Sequence, residues 1–198
     1  MHKFTLITLI AFLLTSLNSY AQQPALKLSA KESKVLIHGT SSVHDWTAQC
    51  DNKSGDLIAL TDKSSFKTIQ SLSLKISSKS IRSIDEKGAY YDDVMDGRIW
   101  SSLEADKYSE ITISLKQVKA INIIGPKAVI DAIAIVTIHG VRKELPVKVT
   151  AETANNSIRI KGTKEIKMLD FAVQPPTILL EFLKTGNEIT IEFDLLYK

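Results

Sequence analysis

The strongest constraint in this chain is an alternation of apolar and polar residues with period two. Leu72, Leu74 and Ile76 alternate with Ser71, Ser73 and Lys75. Ile111, Ile113 and Leu115 do the same, as do Leu145, Val147 and Val149, and Ile189, Ile191, Phe193, Leu195 and Tyr197. Successive side chains of a strand point to opposite faces, so each stretch reads as a strand with one dry face. Less regular strands are expected over 34–40, 42–51, 55–60 and 157–167. Reversals are expected at Asp51–Gly55, Ile124-Gly125-Pro126, His139-Gly140, Asn155-Asn156 and Thr185-Gly186-Asn187, which are rich in turn-forming residues. Strands joined by such short connections are antiparallel. Eight or more of them in one domain predict a mainly β fold, either a closed barrel or a sandwich.

Two segments depart from simple alternation. Tyr91, Val94, Met95, Ile99 and Leu103 fall at helical spacing, which predicts one or two short helices around residues 90–106, broken near Gly97 or Trp100. Ser101 and Glu104 match a capping box. This insertion would cover one end or one wall of a barrel. The stretch Lys127–Ile138 is apolar at both parities, with Ile130, Ala132, Ala134, Val136 and Ile138 on one face and Val129, Ile133 and Ile135 on the other. Such a strand faces the interior on one side and is covered by a helix, or by a second subunit in a homodimer, on the other.

The N-terminus reads as a leader. Lys3 precedes the run Phe4–Leu17, and Ser19-Tyr20-Ala21 is a small-x-small cleavage site. This pattern predicts a signal peptide over 1–21, too short for a membrane span, and one exported domain over 22–198, periplasmic or secreted. No later stretch is apolar for long enough to form a transmembrane anchor. Cys50 is the single cysteine, which rules out an internal disulfide. The chain has 25 Lys and Arg against 22 Asp and Glu, too balanced for a dedicated nucleic-acid binder.

Catalytic patterns are missing from the sequence. His38, His44 and His139 form no H-x-H or HExxH spacing, so no metal motif is present. His44 and Asp45 are adjacent and point to opposite faces of a strand, which prevents a Ser-His-Asp arrangement within Ser41–Asp45. There is no G-x-S-x-G, no phosphate-binding loop and no dinucleotide fingerprint. The reading is a non-enzyme without a cofactor. His44, Trp46, Ala48 and Cys50 share one parity, and Trp46 is either core or the wall of a cavity for an apolar ligand. The further cavity candidates are Leu72, Leu74, Tyr91, Met95, Trp100, Ile113, Ala132, Ala134, Val136, Val147 and Phe171. Ala132 and Ala134 are small enough to leave space inside a barrel.

Five segments in order carry a family resemblance. Gly39-Thr40-Ser41-Ser42-Val43-His44-Asp45-Trp46 resembles the opening signature of the YceI-like family. Leu103–Ile111 resembles its A-L-K-A-D-K-Y-P-x-I stretch, with Ser109 in the proline place, and Ile138–Leu145 resembles its L-x-G-x-T-K-x-V hairpin, with Arg142 in the threonine place. Met168–Thr177 resembles L-x-D-F-G-x-x-P-P-T, with Ala172 where glycine is common, and Leu183–Ile189 resembles the closing L-K-T-G-D-E-V. Glu181 also stands where glycine is common. The resemblance implies an extended, antiparallel, lipocalin-like β-barrel of about eight strands. It also implies an apolar interior that binds a long amphiphile, a polyisoprenoid or an isoprenoid quinone, as carrier or store. The alternative is a barrel filled by its own side chains that acts as an interaction or dimerisation module.

Overall fold

The computed structural model describes residues 24–62, 65–178 and 183–198. The expected signal peptide and Glu181 lie outside the described residues. The chain forms β1 (Leu26–Lys27), β2 (Lys34–Ser41), β3 (Trp46–Cys50), β4 (Lys53–Asp62), β5 (Ser65–Ser77) and β6 (Ile81–Ile84). The one α-helix among the described residues, α1 (Asp93–Ser102), follows. The remaining strands are β7 (Glu110–Ile124), β8 (Lys127–Ile138), β9 (Val141–Ala154), β10 (Ser157–Lys167), β11 (Thr177–Ile178) and β12 (Leu183–Tyr197). The fold is mainly β, a curled antiparallel sheet of lipocalin-like form.

The strands exceed the expected eight, and kinks explain the difference. Eleven of them lie on one hydrogen-bonded path, β1-β4-β5-β7-β8-β9-β10-β12-β2-β3-β6, with β11 paired to β12 off that path. Asp51–Gly55 is not the expected reversal. β3 and β4 are two halves of one bent ribbon, and β5 and β6 are two halves of its neighbour, broken by a 3₁₀ turn at Ser78–Ser80. The register shows this directly: Cys50 pairs with Ile81, and Lys53 pairs with Ile76. Joined in this way, the ladder passes through eight ribbons and returns to β2, which pairs with both β3 and β12. β1 straps the lower end, pairing with β4 and exchanging backbone hydrogen bonds between Lys27 and Lys198.

Local chemistry accounts for the turns. His139 and Gly140 have φ of +51° and +74°, and Asn155 and Asn156 have +48° and +60°, the left-handed pairs that tight hairpins need. At Gly140 a side chain would also strike the ring of Tyr108, at 2.7 Å. Ala172 adopts φ +55°, a left-handed conformation that glycine takes without strain. Thr185-Gly186-Asn187 does not reverse the chain; it makes an irregularity in the pairing of β12 with β2, between Thr185 and Ile189.

The helix begins earlier than the capping box suggests. The Asp92 carboxylate accepts hydrogen bonds from the backbone N–H groups of Val94 and Met95, so Asp92 is the N-cap and Ser101 lies in the last turn. Gly97 sits inside the helix and does not break it. α1 packs on β6, not over the outward face of β8, whose Val129 remains exposed.

Candidate functional site: an apolar slot inside the sheet

The inward parities of the strands converge on one cavity of about 240 Å³, lined from nine strands. Ile130, Ala132, Ala134, Val136 and Ile138 line it from β8, which settles which face of that two-sided strand points inward. Eight residue steps from Ile130 to Ile138, at roughly 3.4 Å each, give a wall about 27 Å long. A small volume spread along such a wall is a slot. Its shape suits a chain better than a bulky ring system.

Ten of the twelve cavity candidates stand on this wall: Trp46, Leu72, Leu74, Met95, Ile113, Ala132, Ala134, Val136, Val147 and Phe171. Tyr91 and Trp100 do not. Tyr91 is 54% exposed, and the Trp100 indole N–H donates to the Ile81 carbonyl at 2.8 Å. The helix phase explains this. Met95 and Ile99, four residues apart, share the face of α1 that meets the cavity, and Trp100 is turned about 100° from Ile99. Sequence reasoning passed over the β12 contribution of Ile189, Ile191, Phe193 and Leu195, although their alternation was plain. It also passed over Lys164, to which the inward parity of β10 points.

Two anchors shape the upper rim. The Trp46 ring lies over Gly39 on the adjacent strand, where a Cβ would come within 2.3 Å of it. The Trp46 indole N–H donates to the Thr40 carbonyl at 3.2 Å. Together these hold the ring flat on the wall. Asp96, 1% exposed, fixes α1 to β6. Its carboxylate accepts from Arg82 Nε at 2.9 Å, from the Ser83 backbone N–H at 2.5 Å and from Ser83 Oγ at 2.8 Å. The hydrogen bond to Asp96 raises the Arg82 pKa in turn.

The wall is chemically quiet. Burial pushes the Cys50 thiol up to about 12, so it behaves as a small hydrophobe and not as a nucleophile. Among the described residues, no three of His, Cys, Asp and Glu gather as a metal site. No helix among them is long and apolar enough to cross a membrane.

The fold and slot define a class: a curled, lipocalin-like β-sheet enclosing a dry, elongated interior. The YceI-like domain model matches residues 26–197, and the chain belongs to that family. Among solved structures it is similar to a polyisoprenoid-binding domain from Saccharophagus degradans, at 18% identity and a TM-score of 0.66, covering 88% of this chain and 98% of that one. BcnA of Burkholderia cenocepacia is similar at 17% identity and a TM-score of 0.66, covering 86% and 99%. A YceI protein of Campylobacter jejuni follows at 16% identity and a TM-score of 0.55, covering 76% and 84%. None of the curated proteins matches the chain.

Proposed function

We propose that this protein is an exported, non-catalytic binding protein that holds a long apolar lipid of the isoprenoid class in its slot, as a carrier or store in the cell envelope. The observation that carries this reading is the slot itself, long, narrow and almost wholly apolar. Burying a chain there contributes roughly 0.8 kcal/mol per CH₂-sized group, and no catalytic group is needed for that. The polyisoprenoid-binding domain of Saccharophagus degradans, with the same fold, supports the choice of lipid class. The leader-like residues 1–21 support export. The open volume weighs against an interior filled by side chains.

Titration with geraniol, farnesol, geranylgeraniol and solanesol tests the reading. Affinity is expected to rise with chain length, by up to roughly fourfold per added CH₂-sized group, and to level off once the slot is filled. Affinities independent of chain length would count against a chain held in the slot.

A further inference from the structure

One residue on the slot wall breaks its chemistry. The inward parity of β10 runs Ile158, Ile160, Gly162, Lys164 and Ile166, so Lys164 occupies an aliphatic place. Among the described residues that line the cavity, it is the only charged one. An aliphatic side chain there would gain stability by burial, so a lysine is a costly choice for a purely apolar wall.

The sheet parts beside this residue. The β9–β10 ladder ends at Val149 paired with Gly162, and β9 then carries Pro146, which has no N–H to extend it. An outer cleft of about 490 Å³ reaches the same place, and Lys164 borders both the cleft and the slot. The carboxylates bordering the cleft are otherwise disposed: Asp131 lies 3.5 Å from Lys148, and Glu165 follows Lys164 on the outward parity. Among the described residues Lys164 has no hydrogen-bond or ion-pair partner. Lys164 thus borders an apolar slot on one side and an open cleft on the other, with no counter-ion among the described residues, an arrangement suited to an anion presented from the slot.

We propose that Lys164 anchors the head of the bound amphiphile, and that this head is an oxyanion, a phosphate or a carboxylate, seated at the β9–β10 gap with its chain in the slot. The proposal rests on the reading that the slot holds a chain lipid. Chain-matched pairs test it: geranylgeranyl monophosphate against geranylgeraniol, and palmitic acid against hexadecanol. Each is titrated into the wild-type protein, Lys164→Met and Lys164→Arg. At least one acid is expected to bind the wild type about tenfold more tightly than its alcohol, the scale of a charge-assisted hydrogen bond. The acid with the larger margin identifies the head. That margin should disappear in Lys164→Met and return in Lys164→Arg. Equal affinity of acid and alcohol for the wild type, or a margin that survives in Lys164→Met, overturns the anchor and leaves the slot reading standing. Failure of all four probes to bind overturns the slot reading, and the anchor with it.

Discussion

Replacing Ala134 with phenylalanine is expected to lower the affinity for a long isoprenoid alcohol by at least about tenfold while leaving a cooperatively folded protein. Ala134 is buried at the middle of β8, facing inward between Ala132 and Val136, with Leu115 and Leu145 opposite it on the neighbouring strands. A phenyl ring there projects into a cavity of about 240 Å³ and interrupts the slot midway. Overpacking usually costs roughly 1–3 kcal/mol, less than the stability of an ordinary domain, so the fold should survive. Circular dichroism checks folding, and a geranylgeraniol titration reads binding. Ala134→Leu should fall between the two. A folded Ala134→Phe protein with unchanged affinity would mean that the chain lies elsewhere.

The second large effect concerns the clasp that holds α1. Asp96→Ala strands a buried Ser83 N–H, leaves the Ser83 hydroxyl only the Asp92 carbonyl and takes from Arg82 its strongest partner. Removing one member of a buried, hydrogen-bonded pair of this kind costs about 3 kcal/mol. For a domain of this size, that lowers Tm by roughly 6–12 °C. Asp96→Asn keeps one acceptor oxygen and should lose less. Thermal unfolding followed by circular dichroism gives the comparison. An unchanged Tm for Asp96→Ala would show that α1 is held by its apolar face alone. The same variant should release bound lipid faster, because Met95 and Ile99 of α1 form part of the slot wall.

The strands were legible because a half-buried strand writes its burial into every second residue. β10 matches its expected bounds, and even the two-sided β8 is correctly a strand. Local signals went wrong where they serve more than one geometry. Asp51–Gly55 has the composition of a turn, but its residues bend a ribbon without reversing it. Gly186 and Asn187 belong to a pairing irregularity and not to a loop. Ser101 and Glu104 have the spacing of a capping box, yet Asp92 caps the helix a full eight residues after the preceding strand ends. The slot was legible in the same measure. Parity alone groups Ala132, Ala134 and Val136, but an aromatic residue in a short helix gives no sign of which way it turns, and Trp100 turned to Ile81. Lys164 was hidden because a lysine in a strand normally marks the wet face. Its parity with Ile160 and Ile166, and its register opposite Ile191 of β12, place it on the dry one.

Native mass spectrometry of the protein purified from its own cell envelope, followed by solvent extraction of what it carries, tests the central claim most directly. The account predicts a mass in excess of the polypeptide by one long-chain lipid, which is extractable, identifiable as an isoprenoid and restored when that lipid is added back. A ligand-free mass, together with no uptake of any added chain, would contradict it.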